Sequence, residues 1–331
     1  MHARIAGTGF YVPPRVVTNA ELTQLFDTSH EWIVERTGIH TRHWIDFETP
    51  TGPADLAYEA TQMALAQAGL AATDLDCIVF ATLSPEAWFP GAGVFLQAKL
   101  GVPHIPAFDV RMQCSGFLYA LQMAEHFVKL GTYRHVLVVG AEVQSTTLDF
   151  SPQGRTVGVI FGDGAGVAIV GPSDRPGILN THLHADGRYA KELWVPEPTS
   201  TRRPKVTLEG ERPGEGLFAI MNGREVFRHA VTRMSEVITH ALGKQGWAAD
   251  AVDLFVLHQA NIRIVQAVAE GLGLPLDRFF NNIDRYGNTT AASIPICLAE
   301  AERAGRLAEG HKVVLASFGS GFGWGAATLV W

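Results

Sequence analysis

Short runs rich in Val, Ile and Leu alternate along this chain with longer segments whose apolar residues recur every three or four positions, a pattern that predicts strands covered by helices. The opening Arg4-Ile-Ala-Gly-Thr-Gly-Phe-Tyr-Val-Pro13 reads as a strand closing in a Gly/Pro turn, and Asn19-Ala-Glu-Leu22 as the start of a helix capped by Asn19. Thr28 to Gly38 reads as a second short helix, stopped by its glycine. A helix from Pro53 to Ala68 then leads through Gly69-Leu-Ala-Ala-Thr-Asp-Leu-Asp76 into the buried strand Cys77-Ile-Val-Phe-Ala-Thr82.

The same series returns later. A helix from about Glu225 to Leu242 leads through Gly246-Trp-Ala-Ala-Asp-Ala-Val-Asp253 into Leu254-Phe-Val-Leu257, so Gly69 answers Gly246 and Asp76 answers Asp253 at one offset, 177 (246 − 69). Leu100-Gly-Val-Pro103 against Leu272-Gly-Leu-Pro275, and Lys129-Leu-Gly131 against Arg303-Ala-Gly305, extend the echo. The chain is therefore expected to be a duplicated α/β unit, residues 1–172 and 173–331, with its seam near Gly171-Pro172. Between the halves, His184 to Gly216 carries Pro196, Pro198, Pro204, Pro213, Arg202, Arg203 and Lys205, and reads as surface loop with at most one short strand.

Composition narrows the function classes. The 331 residues are 47% hydrophobic and 18% charged, enough apolar material for a large core. No run of about 18 apolar residues and no signal-like opening occurs, so a cytoplasmic protein without membrane contact is expected. Cys77, Cys114 and Cys297 show no paired or metal-ligating spacing, which points to neither disulfides nor a metal site. A net charge of −7 without a basic tract argues against nucleic acid as partner.

Candidate chemistry gathers around Cys114. In Asp109-Val-Arg-Met-Gln-Cys114-Ser-Gly-Phe-Leu-Tyr a short apolar run stops at the thiol and an amphipathic helix follows. Unpaired N–H groups at a helix start favour a thiolate and predict a lowered pKa. Alone, Cys114 is read as readily as a small buried hydrophobe. In the second half a strand ends at His258-Gln-Ala-Asn261, and Gly287-Asn288-Thr-Thr opens a helix 174 positions beyond Cys114 (288 − 114). The duplication thus predicts that Cys114 and Asn288 occupy corresponding strand-to-helix junctions with His258 at a neighbouring strand end. A nucleophile for acyl groups would then face two hydrogen-bond donors suited to an oxyanion. A core or capping role for His258 and a helix cap for Asn288 are the plainer alternatives.

Three further segments bear on a ligand. Trp32 and Arg36, four apart on a helix, share a face on which a ring and a guanidinium could hold a nucleotide, or they form a half-buried Trp beside a solvated Arg. The glycines of Ser317-Phe-Gly319-Ser320-Gly-Phe-Gly-Trp-Gly read either as a backbone approach to a ligand, with N–H groups for a second oxyanion hole beside Cys114, or as a hairpin. Phe161-Gly-Asp-Gly-Ala-Gly is read as tight packing, since no phosphate-loop lysine follows.

These residues, with Glu31-Trp-Ile-Val, Arg36-Thr-Gly-Ile, His182-Leu-His-Ala-Asp-Gly, His258-Gln-Ala-Asn-Ile-Arg-Ile and Gly287-Asn-Thr, resemble the 3-oxoacyl-acyl-carrier-protein synthase III family nearly end to end. The resemblance implies a thiolase-like, five-layered αβαβα fold, a homodimer, and no cofactor beyond acyl-CoA as substrate. It implies that Cys114 takes a starter acyl group and passes it to malonyl-acyl-carrier protein, with His258 and Asn288 holding the enolate and the Cys114 and Ser320 amides the acyl oxygen. It assigns Trp32, Arg36, Arg155 and Asn261 to CoA and Phe89 to the acyl pocket. Arg224 and Arg228, four apart on a helix, with Arg263 just after the His258 motif, read as a basic cluster for an acidic carrier protein or as a merely solvated face. Arg111-Met-Gln113 before the nucleophile and the bulky Ser84-Pro-Glu86-Ala-Trp88 depart from the family's usual small residues. They leave the starter chain open, and Glu86 reads as a rim carboxylate or an extra acid. A specialised secondary-metabolism relative and a Cys/His/Asn thiol hydrolase are the competing functions.

Overall fold

Two sheets with the same internal pairing carry the rest of the molecule, which is known from a computed structural model describing residues 1–208 and 214–331; Pro213 lies outside the described residues. The first sheet runs His2–Tyr11, Gly164–Ser173, Val136–Glu142, Cys77–Ala81, Ala107–Val110, and the second Ile178–Ala185, Gly323–Val330, Lys312–Gly319, Leu254–Leu257. Register matches strand for strand. Cys77 pairs with Val136, Val136 with Val170 and Val170 with Ile5, while Leu254 pairs with Val313, Val313 with Leu329 and Leu329 with Ile178. The first pairing in each series is parallel and the other two antiparallel. Only the fifth strand differs: Ala107–Val110 has a counterpart reduced to a single bridge between Phe255 and Phe279.

Small repeated devices hold the two units in the same shape. Gly69 and Gly246 end their helices with φ of 66° and 65°, a left-handed turn that costs glycine nothing. The Asp76 carboxylate accepts the His135 N–H at 2.9 Å, and Asp253 accepts that of Lys312 at 2.7 Å, pinning the next parallel strand in each half.

Layering follows from which faces are apolar. Helices Pro53–Ala68 and Ala92–Leu100 cover the outside of the first sheet, burying Leu56, Leu65 and Leu96 against Ile78, Phe80 and Leu137. Gly223–Gln245 and Ile262–Gly271 cover the second, with Met234, Ile238 and Val268 against Phe255 and Val314. Between the sheets lie Gly116–Lys129 and Ser293–Arg303, buried on both sides. The result is the thiolase-like αβαβα stack, and it puts the start of each central helix in the middle of the molecule.

One local expectation fails, the Asn19 cap, and two other segments take a definite form. The cap of the first helix is Thr18, whose hydroxyl accepts the Glu21 N–H, while Asn19 turns inward to donate to the Ile39 carbonyl and accept from the buried Arg42. His184 lies in the strand Ile178–Ala185, and the following segment contributes a second short strand, Leu193–Trp194, paired with Ile220–Met221. The glycine-rich C-terminus is two strands, Lys312–Gly319 and Gly323–Val330, joined by a tight turn.

Candidate active site

The thiol sits at a strained turn built twice. In the first half a 3₁₀ turn, Gln113–Ser115, precedes the central helix, and in the second half Thr290–Ala292 does the same at an offset of 177 (290 − 113). Gln113 and Thr290 hold positive φ, 44° and 47°, unusual for any side chain and costly for a β-branched one. Cys114 thus corresponds to Ala291, and Asn288 stands three residues earlier at the same junction. The expectation of shared junctions is met by the elements, but the repeat offset that sets the pairing is 177, so Asn288 answers Arg111.

The terminal hairpin closes over Cys114. A Cβ on Gly319 would stand 2.6 Å from Cys114 Cβ and 3.0 Å from its Sγ, so only glycine fits. Ser317 Oγ donates to the Cys114 carbonyl at 2.8 Å, and the Cys114 and Ser320 N–H groups face the thiol. The hairpin reading of the glycine run therefore holds, and the hairpin backbone packs directly on Cys114.

His258 and Asn288 are both tied to the start of the second central helix. The His258 N–H donates to Ala316, on the strand that ends at Gly319, and His258 Nδ1 lies 2.7 Å from Ser293 Oγ at the start of the central helix. The Gln259 N–H donates to the same Ser293 oxygen at 3.4 Å, so one hydroxyl ties the imidazole to the backbone beside it. The His258 Nε2 is buried and without a partner. Asn288 Oδ1 accepts the Thr290 N–H at 2.9 Å, which leaves its NH₂ free to donate. Backbone bonds from Asn288 N–H to Ile160 and from Gly162 N–H to Asn288 lock its position.

Burial sets the electrostatics. Cys114, His258 and Asn288 are 8%, 3% and 6% exposed. Burial pushes the Cys114 thiol up to about 12, Glu142 adds to the rise, and the two N–H groups oppose it without winning. The expectation of a lowered thiol pKa is overturned for the free protein, because desolvation outweighs the helix start. Burial also drives His258 down to about 3, so its imidazole is neutral. Cys77 and Cys297 are buried in the core and likewise pushed up, Cys77 to about 12.

The ligand candidates cluster as well. Arg155 lies 4.5 Å and Arg36 5.2 Å from the centre of the Trp32 ring. Asn261 caps the helix Ile262–Gly271 and donates to the Arg36 carbonyl at 2.7 Å, joining all four residues in one patch. Arg263 stacks at 5.7 Å on Phe227, next to Arg224 and Arg228 on the Gly223–Gln245 helix; Arg228 is paired with Glu225. Phe89 is 80% exposed at the tip of its loop, and Arg111 lies 5.8 Å over the neighbouring Trp88. Glu86 is a rim carboxylate that accepts the Ala54 N–H at 2.7 Å and lines a surface cavity of about 700 Å³ with Phe47, Ser145 and Phe150.

Sequence reasoning missed Ser293, Asp163 and Glu142. Ser293 orients the imidazole, and its only sequence signal is its place one turn into the Gly287-Asn-Thr helix. Asp163, fully buried, accepts from Ile45 N–H, Gln144 N–H and the Ser145 N–H and hydroxyl, so the Phe161-Gly-Asp-Gly motif fastens loops. Glu142 ends a fully buried strand, which is itself a signal, since such carboxylates need a reason.

Five α/β layers around a buried cysteine turn define a thiolase-like acyltransferase. Comparison with known proteins specifies the group. Family models described as 3-oxoacyl-[acyl-carrier-protein] synthase III and its C-terminal part match residues 108–187 and 242–331. The chain is 45% identical over 329 residues to the beta-ketoacyl-[acyl-carrier-protein] synthase III of Shewanella oneidensis, covering 99% of each. Among solved structures, the synthase III of Thermus thermophilus superimposes with a TM-score of 0.90 at 41% identity over 99% of both chains. The priming beta-ketosynthase of the R1128 polyketide pathway does so at 0.89 and 31%, over 99% of this chain and 96% of that one. The chain belongs to the 3-oxoacyl-[acyl-carrier-protein] synthase III family, condensing enzymes of the acyltransferase class.

Proposed function

We propose that this protein starts type II fatty-acid synthesis by condensing an acyl-CoA starter with malonyl-acyl-carrier protein in the cytoplasm, as a homodimer. The observation that carries this reading is a buried thiol faced by the Cys114 and Ser320 N–H groups, together with the buried His258 and Asn288 held by Ser293 and Thr290 at the start of the second central helix. No helix among the described residues is long and apolar enough to cross a membrane.

In the first step Cys114 sulfur attacks the thioester carbonyl, the Cys114 and Ser320 amides hold the tetrahedral oxyanion, and CoA leaves as the thiol with the cysteine proton. The Trp32, Arg155, Arg36 and Asn261 patch is where CoA docks. In the second step the malonyl group loses CO₂, and the enolate oxygen is held by the His258 Nε2 hydrogen and the Asn288 amide. The enolate carbon then attacks the acyl-cysteine carbonyl, expelling the Cys114 sulfur as a thiolate that takes up one proton from solvent, and leaving 3-oxoacyl-carrier protein. Neutral His258 suits this task, because a donor hydrogen rather than a base is needed. The Arg224, Arg228 and Arg263 face offers positive charge to an acidic carrier protein.

Intact-mass measurement after incubation with acetyl-CoA and short branched acyl-CoAs tests the proposal. It expects an acyl adduct absent from Cys114→Ala, followed by CO₂ and a 3-oxoacyl product once malonyl-carrier protein is supplied. Hydrolysis of acyl-CoA without any malonyl requirement would replace it with the thiol-hydrolase reading.

A further inference from the structure

Glu142 takes no part in the steps above, yet it is fully buried at the end of the strand Val136–Glu142. Among the described residues no lysine or arginine pairs with it. Its carboxylate instead accepts from the Thr82 hydroxyl at 3.1 Å, the Leu83 and Ser84 N–H groups at 3.2 Å, the Ser84 hydroxyl at 2.5 Å and the Gln144 amide at 3.3 Å. Ser84 Oγ in turn accepts the Val143 N–H at 3.0 Å, closing the link between loop and strand.

Taking a carboxylate out of water without a cation costs several kcal/mol, and a packing role alone would be filled by an apolar side chain. Here the negative charge also works against the Cys114 thiolate. What offsets these costs is a set of five hydrogen-bond donors, four of them in Thr82–Ser84. That stretch leads directly into Pro85–Pro90, whose tip exposes Trp88 and Phe89 at 52% and 80%. Farther along, the segment is held by Glu86 on Ala54 N–H and, past Pro90, by Asp109 accepting from Ala92 and Gly93 at 2.7 and 2.8 Å. Three carboxylates thus fasten an otherwise exposed loop, and Glu142 is the one anchored in the core beside the catalytic turns.

We propose that Glu142 is a positioning residue for acyl-chain selection: by clamping Thr82–Ser84 it fixes where Trp88 and Phe89 stand, and so which starter chains Cys114 accepts. This rests on reading the Phe89 segment as the acyl-facing loop. The test compares initial rates of Cys114 acylation, by intact mass, across straight-chain acyl-CoAs from acetyl to decanoyl. Glu142→Gln keeps the shape but turns one acceptor into a donor facing backbone N–H groups. It is expected to change the long-to-acetyl rate ratio by about tenfold, the scale of one or two lost hydrogen bonds. Ser84→Ala, which removes one donor and leaves the core carboxylate in place, is expected to move the ratio in the same direction by a smaller factor. It carries the test should Glu142→Gln not fold. A general loss of stability would lower all rates together, so an unchanged ratio in the folded variants overturns the proposal. Failure of the wild type to take an acyl group from any acyl-CoA would instead overturn the functional reading.

Discussion

The two catalytic-type turns, Gln113-Cys114-Ser115 and Thr290-Ala291-Ala292, share a backbone and differ in chemistry. Each begins with a strained positive-φ residue and opens a central helix, and each packs under a strand of the opposite half. Gly140 lies over Ala291 as Ser317 and Gly319 lie over Cys114. Only the first turn carries a thiol; the second gives its neighbours, Asn288 and Ser293, to hydrogen bonding. Duplication therefore supplied two equivalent scaffolds, and the proposed reaction would divide between them: acyl transfer on one, enolate stabilisation from the other.

The largest expected effect concerns the first turn alone. With its thiol held near 12, alkylation of free Cys114 by iodoacetamide should rise about tenfold per pH unit from pH 6 to 10 without levelling, because the thiolate fraction is still growing. A plateau near pH 8.5 would show an ordinary thiol. On the second turn, Asn288→Ala should cut condensation by about 10²–10³ while the acyl adduct still forms, the loss associated with one oxyanion donor. Rates of adduct formation and of product release separate the two. The glycines sharpen the contrast. Gly319→Ala places a methyl against Cys114 and should lower acylation by about 10², near the penalty for displaced reacting atoms. Gly140→Ala meets the Ala291 backbone and should cost about 1–3 kcal/mol of stability, read by denaturant melting, with acylation per folded molecule unchanged. The smallest effect is a null: Ala291→Cys puts a thiol in the same backbone setting and should gain no acyl group, since peptide mapping will find the label on Cys114 only.

Much of this was legible in the sequence where local chemistry decides. Gly69 and Gly246, or Asp76 and Asp253, do the same backbone job wherever the chain goes, so their repeat exposed the doubled unit. The Cys, His and Asn carried enough type information to nominate one chamber. What depends on distant packing was not legible. The thiol pKa went the opposite way because the hairpin and Glu142, both far along the chain, enclose it. Thr18 displaced Asn19 as cap because Arg42, 23 residues on, recruits the asparagine. The offset of 174 pairs Asn288 with Cys114, whereas the matching strained residues Gln113 and Thr290 set it at 177 and pair Cys114 with Ala291, three positions beyond Asn288.

The division of labour is tested most directly by following His258→Ala in one rapid-quench experiment with two signals, acyl adduct on Cys114 and CO₂ from malonyl-carrier protein. The account predicts adduct formation near the wild-type rate and CO₂ release slowed by about 10²–10³. An enzyme that fails to acylate, or one that decarboxylates at the wild-type rate, would contradict it.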